Sequence, residues 1–450
     1  MRSKIIQDNI LFWGFGREAR AMINYLYKEK DVKNFFVYTD QEVERSVRKK
    51  YKGISFFYRN ELKDLLKLVS KNWIIFKSPG ISLYREDVNI FKEKGAEISS
   101  QTQFSLSQLG GKKVIVVSGT KGKSTTASLL GYILNCLGKR ALVVGNIGVP
   151  IIEKIDEAKK MEFVIVELSS YQIADLDFSP KIFLLTNLYP EHKNWHRTHK
   201  QYFKDKTRLI RNSKGVVIIN AESNKLVRSL CPDANPSFFN SKNGFYGEDA
   251  SIFLNGKSIG KLNNINLSGQ HNLVNISAAL EVINRLGCDF QKGLECLSNF
   301  RGLPHRQKCV YEDNSIKFID DSLATIPEAT IAAVNRFSGE KITLIVGGFD
   351  RGQEYSQLLD VIIKNNSVIN VLGIPATGNR IIKSLKRKCK CKNKKFLYCS
   401  GLKEAVKKAK KITPLGGIVL MSPGAASFGY FSNYHERGAH FLKFAKEQDN

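Results

Sequence analysis

Val114-Ile-Val-Val-Ser-Gly-Thr-Lys-Gly-Lys-Ser-Thr-Thr126 joins a β-branched apolar run to a glycine-rich turn that bears Lys123 and Ser124. A helix-like apolar pattern follows at Ala127, Leu129, Leu130, Ile133, Leu134 and Leu137. Strand, glycine turn, Lys-Ser and helix together make a phosphate cradle: N–H groups of the loop and the positive end of the helix dipole face the anion. In such a loop Lys123 reaches the β- and γ-phosphates, and the Ser124 or Thr125 hydroxyl meets Mg²⁺. The general pattern Gly-x-x-x-x-Gly-Lys-Ser/Thr needs a glycine at position 117. The chain has Val117 there and places its glycine at Gly119. The compact form Gly119-Thr120-Lys121-Gly122-Lys123-Ser124-Thr125 is narrower. An ordinary strand–helix turn would account for the glycines but has no need of Lys-Ser-Thr in register with the helix.

Further chemistry lies downstream. The strand-like run Phe163-Val-Ile-Val-Glu167 ends on a carboxylate, a hard oxygen ligand suited to Mg²⁺. A second apolar run, Ile182 to Asn187, leads into His192, a metal ligand or substrate-orienting group. His192, His196 and His199 invite a zinc reading, but no cysteine stands near them in a Lys/Arg-rich segment, so His196 and His199 read as surface residues. Gln201 to Ile210 reads as one helix, on which Lys206 alone would be one more surface lysine. Upstream, Gly14-x-Gly16-x-x-Ala19 with Asp40 roughly twenty residues on has the form of a dinucleotide fingerprint. It suits any pyrophosphate, a UDP-sugar included, with Asp40 on the ribose or base. The strand-like Trp73-Ile-Ile-Phe-Lys77 ends in the tight turn Ser78-Pro79-Gly80.

These groups need elements to hold them, and strand and helix patterns alternate throughout the 450 residues, which predicts an α/β fold. Three blocks are visible, opening near Ile10, after Gly111 and near Arg301; the last alternates again at 342–348, 368–372 and 417–422. A hydrophobic content of 42% describes a globular chain. No run approaches about 18 uninterrupted apolar residues, so no membrane insertion is expected, and residues 1–8 carry no secretory apolar core. The eight cysteines are scattered and read as reduced thiols. The net charge of +28 raises nucleic acid as a partner. Yet the densest basic run, Lys383 to Lys395, has no interleaved aromatics for base stacking and reads as a solvated face or loop. No specific nucleic-acid partner is expected.

Taken in this order, the segments resemble the Mur ligase family from end to end. The matching stretches are Gly14-x-Gly16, Ser78 to Ile81, Gly119 to Thr125, Gly145 to Gly148, Glu167 to Gln172, Asn187 to His192, Leu267 to Asn272, Gly302 to Arg306, Asp321-Ser322 with Ala324-Thr325, and Ser422 to Ser427. Gly302 to Arg306 and Ser422 to Ser427 point to the glutamate-adding branch. The resemblance implies three domains: a UDP-sugar-binding Rossmann-like domain at 1–106, a central P-loop ATPase domain with a parallel sheet at 107–300, and a C-terminal Rossmann-like domain at 301–450 that binds glutamate and closes on ATP. It implies a monomeric cytoplasmic ligase, dependent on ATP and Mg²⁺, that makes peptidoglycan precursor by joining D-glutamate to UDP-N-acetylmuramoyl-L-alanine through an acyl phosphate.

The roles of residues follow from the same resemblance. Lys123, His192 and a carbamylated Lys206 are catalytic, and Ser124, Glu167, His192 and Lys206 hold the metals. Residues Gly119, Thr120, Lys121, Gly122, Lys123, Ser124 and Thr125 bind ATP with Asn272, Asn275, Arg306 and Asp321. Gly14, Gly16, Arg17, Asp40, Ser78, Pro79, Gly80, Asn146, Ser169 and Gln172 face the UDP substrate. Thr325, Arg351, Ser427 and Tyr434 face glutamate. On that side the chain departs from the pattern: Leu323 stands where the family has lysine, and Arg351 replaces a second lysine. A bidentate guanidinium is not equivalent to an ammonium, so L-glutamate stands as the alternative substrate. Folylpolyglutamate synthetase-like ligation is disfavoured by the N-terminal glycine turn with Ser78-Pro79-Gly80. A basic nucleic-acid-associated P-loop protein would show steeply salt-dependent RNA binding. A ligase that had lost activity would not need to keep Lys123, Ser124, Glu167, His192 and Lys206.

Overall fold

Apolar β-branched runs form the strands that the sequence predicts, and the turns that follow them carry the glycines and polar groups. The computed structural model describes residues 9–29, 34–40, 42–43, 45–146, 149–262, 269–300, 302, 305–350, 353–389, 393–427, 429–431 and 433–447. The chain divides into two compact units, Met1–Arg301 and Gly302–Asn450.

The first unit opens with a parallel sheet of β1 (Asn9–Trp13), β2 (Asn34–Thr39), β3 (Ile54–Tyr58), β4 (Trp73–Lys77) and β5 (Glu97–Ser99), in the order β3-β2-β1-β4-β5. The winding reverses between β1 and β4, which opens a crevice beyond their carboxyl ends. The two predicted UDP turns, 14–16 and 78–80, leave these neighbouring strands there. Gly14 has φ +89°, and a Cβ on it would stand 2.8 Å from Ser78 Oγ, so a side chain there is disfavoured by conformation and by space.

A second sheet holds β6 (Val114–Ser118), β7 (Ala141–Gly145), β8 (Phe163–Glu167), β9 (Ile182–Leu185), β10 (Val216–Asn220) and β11 (Ser237–Phe239), ordered β11-β10-β9-β6-β8-β7 and parallel throughout. Every residue of β6 is buried, as expected for a parallel strand covered on both faces. The winding reverses again at β6, with β8 on one side and β9 on the other. An antiparallel trio follows: β12 (Phe245–Glu248), β13 (Ser251–Leu254) and β14 (Lys257–Lys261).

The second unit has β15 (Lys308–Asp313), β16 (Ile316–Asp320), β17 (Ile342–Val346), β18 (Val368–Gly373), β19 (Lys395–Tyr398) and β20 (Ile418–Met421) in the order β15-β16-β20-β17-β18-β19. Among these described strands β15 runs antiparallel to its neighbour and the other pairs are parallel.

Three expectations are corrected. Cys136 and Cys296 are joined in a disulfide rather than reduced; the helices Lys123–Cys136 and Phe290–Cys296 pack side by side, which brings the two Cα atoms to 6.3 Å across 160 positions of sequence. The helix expected across 201–210 is two helices, His199–Lys206 and Arg208–Arg211, because the Thr207 hydroxyl donates to the Phe203 carbonyl at 2.8 Å where the first one ends. Within the basic run, Lys394 is buried rather than solvated, donating to the carbonyls of Ile362, Asn365 and Val368.

Candidate active site

At the carboxyl end of β6 the chain turns through Gly119 (φ +144°) and Gly122 (φ +81°) into the helix Lys123–Cys136. A Cβ on Gly119 would collide with Thr186 Oγ1, and one on Gly122 with Asn275 Oδ1. The glycines are there because the loop is clasped from both sides. Asn187, at the end of β9, is the inner clasp. Its Oδ1 accepts from the Thr120 and Lys121 N–H groups at 3.1 and 2.7 Å, and its Nδ2 donates to the Lys121 carbonyl at 3.0 Å. The Thr186 hydroxyl donates to that carbonyl as well, at 2.6 Å. Asn275 is the outer clasp, with Oδ1 3.3 Å from Thr126 Oγ1 and Nδ2 3.3 Å from Asn272 Oδ1. Of the two asparagines expected to bind ATP, Asn275 therefore stands against the phosphate loop and its helix, and Asn272 is bonded to Asn275.

Glu167 ends β8, the neighbour of β6. Its Oε1 accepts from Asn146 Nδ2 at 3.1 Å, while Oε2 is buried with no partner. An unpaired buried carboxylate oxygen is costly unless something positive meets it. Lys123 donates to the Thr120 carbonyl at 2.9 Å, and burial lowers the pKa of its ammonium. Lys121 pairs with Glu191 at 2.7 Å. The neighbouring His192 holds left-handed backbone (φ 54°, ψ 33°), with its imidazole pKa lowered by burial.

Lys206 is 2% exposed, and its Nζ donates to the Gly119 carbonyl at 2.6 Å. Burial first, then the positive charge of Lys123, pushes its pKa well below the ordinary lysine value. Tyr202, one turn earlier on the same helix, places its hydroxyl 2.9 Å from Thr120 Oγ1. Among the described residues, no three His, Cys, Asp or Glu side chains converge on a metal site. The candidate metal donors besides Glu167 are the Ser124 hydroxyl, the His192 imidazole and the buried Lys206 amine. That set suits a hard dication if Lys206 gains a carboxyl group and the bound phosphates supply oxygens.

The predicted UDP residues lie within the same unit. Gln172 and Ser169 form a capping box at the start of the helix Ser170–Ile173. Gln172 Nε2 also donates to Glu18 Oε1 at 2.8 Å, and burial raises the Glu18 carboxyl to about 7. Arg17 pairs with Glu153 at 3.2 Å, and Asp40 with Arg85 at 2.6 Å. Glu18, Arg85, Asn187 and Asp205 did not figure among the sequence candidates. Only Asn187 left a usable signal, as the polar end of an apolar run.

In the second unit, Asp321 follows β16 and accepts from Ser422 Oγ at 2.6 Å, with its carboxyl raised to about 7 by burial. The Thr325 carbonyl accepts from Gln353 Nε2 at 3.0 Å, and Ser427 is buried. Tyr434 opens the helix Tyr434–Lys446, and its carbonyl accepts from Ser322 Oγ at 2.8 Å. Arg306 is exposed. Arg351 lies outside the described residues, as do parts of the segments 145–148, 267–272 and 302–306.

Residues 117–283 match the Mur ligase middle domain. The UDP-N-acetylmuramoyl-L-alanine–L-glutamate ligase of Xanthomonas euvesicatoria pv. vesicatoria (strain 85-10) is 30% identical over 453 residues, covering 98% of this chain and 96% of that protein. The UDP-N-acetylmuramoylalanine–D-glutamate ligase of Caldicellulosiruptor bescii is 31% identical over 457 residues, with 98% and 97% covered. Among solved structures, the UDP-N-acetylmuramate–alanine ligase of Thermotoga maritima shares the fold with a TM-score of 0.59 at 20% identity, over 97% of this chain and 100% of that one.

Proposed function

The chain belongs to the Mur ligase family, and from that membership we propose that it joins D-glutamate to UDP-N-acetylmuramoyl-L-alanine through an acyl phosphate. It is an ATP-dependent ligase of peptidoglycan precursor synthesis. Among the described residues no helix is long and apolar enough to cross a membrane. The observation that carries the reading is the 119–125 loop and the unpaired Glu167 oxygen at the ends of adjoining strands, with the buried Lys206 amine on the Gly119 carbonyl.

In this reading an oxygen of the alanyl carboxylate attacks the γ-phosphorus and ADP leaves. The glutamate amine then attacks the acyl carbon, and the tetrahedral adduct expels phosphate, which keeps the carboxylate oxygen. The loop N–H groups and Lys123 hold the phosphates in line and meet the charge that develops. Burial and the charge of Lys123 disfavour the protonated form of Lys206, which favours the free electron pair that adds CO₂, with loss of a proton, to give an anion. Ser124, Glu167, His192 and that carbamate would hold Mg²⁺, which when bound neutralises charge on the transferring phosphoryl group. Asn272 and Asn275 flank the nucleotide, with Arg306 and Asp321 serving its phosphates and ribose. The 14–17 and 78–80 turns, Asp40, Asn146, Ser169 and Gln172 take the UDP substrate. Thr325, Arg351, Ser427 and Tyr434 take glutamate. The two parallel sheets of the first unit are read as separate domains, 1–106 and 107–300, with 301–450 as the third.

L-glutamate is the second reading. It is favoured by Leu323 in place of lysine and by the activity for which the Xanthomonas relative is named. Phosphate release with ATP, Mg²⁺ and UDP-N-acetylmuramoyl-L-alanine separates the two. D-glutamate is expected to support release at least about tenfold faster than L-glutamate, the scale of about 1.4 kcal/mol of discrimination. The reverse ratio would establish the L-isomer, and no release with either would overturn the ligase reading.

A further inference from the structure

His196, expected at the surface, is fully buried. Its Nδ1 lies 2.6 Å from Asp205 Oδ2 and its Nε2 3.0 Å from Ser170 Oγ. A carboxylate only accepts, so Nδ1 carries the proton, and Nε2 shares the second hydrogen bond with the Ser170 hydroxyl. Asp205 also accepts from the Tyr84 hydroxyl at 2.8 Å and from Gln201 Nε2 at 2.8 Å. The order Ser-His-Asp is that of a hydrolytic triad. Ser170, however, is only 1% exposed, so no substrate carbonyl can approach its oxygen. The relay must act on the protein itself.

Each member is placed next to a residue of the candidate site. Ser170 opens the helix that carries Gln172. His196 closes the short helix Lys193–His196, and its N–H donates to the His192 carbonyl at 3.1 Å. Asp205 directly precedes Lys206. The left-handed backbone of His192 is a conformation that a non-glycine residue keeps only where its surroundings hold it. One imidazole thus ties together the substrate helix, the His192 turn and the Lys206 helix.

We propose that His196 is a positioning residue for ligation, setting the mutual register of Gln172, His192 and Lys206 through Ser170 and Asp205. The inference rests on the ligase reading above. His196→Leu is expected to lower kcat on the order of 100-fold, the effect of misplacing catalytic groups by about 1 Å. The KM for ATP should stay within about twofold, since the 119–125 loop is clasped by Asn187 and Asn275 instead. His196→Asn, whose amide N–H can still reach Asp205, should recover at least about tenfold of the loss. Calorimetry with UDP-N-acetylmuramoyl-L-alanine alone, without ATP or metal, should show roughly tenfold weaker binding by His196→Leu, because the Ser170 helix has lost its anchor.

A kcat within about threefold of wild type, equal impairment of the Leu and Asn variants, or unchanged calorimetric affinity in His196→Leu would each overturn the proposal. Should His196→Leu fail to fold, Ser170→Ala leaves the His196–Asp205 pair in place. It is expected to lower kcat about tenfold with the unfolding temperature held within about 2 °C, and wild-type kcat there would overturn the proposal. The ligase reading fails separately, if wild-type protein neither releases phosphate nor binds the UDP substrate. The relay itself has its own signature in free wild-type protein, a downfield imidazole N–H resonance that His196→Leu removes; its absence from wild type would also overturn the proposal.

Discussion

Lys206→Met lowers ligation by on the order of 10³-fold and makes the ligand-free protein harder to unfold. The first half follows from chemistry: methionine fills the same space but cannot add CO₂, so the anion facing the phosphoryl group is lost, and one missing preorganised group of this kind costs about 10²–10³ in rate. The second half follows from burial. The Lys206 amine is 2% exposed beside the Gly119 carbonyl, and burial and Lys123 both disfavour its charged form. Unfolded lysine keeps its proton up to about 10.5, whereas the folded amine releases it at lower pH. Inside that window unfolding takes up a proton, so wild-type stability rises with pH. Methionine has no proton to take up. Its variant should lose the slope and gain most at the low end of the window, by a few degrees in the melting of the first unit, the scale of about 1 kcal/mol. Lys206→Ala should also lose activity, with partial recovery when short carboxylates enter the vacated space. Wild-type activity in either variant would remove the carbamate from the account.

Lys123→Met is expected to lower kcat by on the order of 10³-fold while leaving affinity for the UDP substrate within about twofold. The two effects separate because Lys123 and the two UDP turns at 14–16 and 78–80 sit on different sheets. Lys123 opens the helix behind β6, where its ammonium is held by the Thr120 carbonyl. The predicted UDP turns follow β1 and β4 of the other sheet. Turnover and calorimetry on one preparation check both statements. A fall in UDP-substrate affinity that matched the fall in rate would show that Lys123 acts through folding of the whole unit.

Much of this site is legible in the amino-acid sequence, for identifiable reasons. The β6 run, the compact loop and the helix after it are contiguous, so local pattern alone places Lys123 and Ser124. Glu167 was legible as the polar end of an apolar run, because a buried parallel strand advertises itself as an unbroken apolar stretch; Asn187 stands at the end of a similar run but was not singled out. Lys206 was not legible from its own surroundings: flanked by Asp205 and Thr207 on a charged segment, it reads as solvated, and only the family resemblance singled it out. His196 was misread for the same reason. Its partners are 26 and 9 positions away, and no spacing rule joins a histidine to a serine on another strand's turn. The Cys136–Cys296 bond was hidden by its 160-residue separation. The break at Thr207 depends on a side chain bonding back to its own helix, which apolar periodicity does not register.

The central claim is that the 119–125 loop activates the substrate as an acyl phosphate. It is tested most directly by following an oxygen. UDP-N-acetylmuramoyl-L-alanine labelled with ¹⁸O in the alanyl carboxylate, incubated with the enzyme, ATP, Mg²⁺ and glutamate, should transfer one labelled oxygen to each phosphate released, read by mass spectrometry. Unlabelled phosphate formed in step with the amide product would contradict the account.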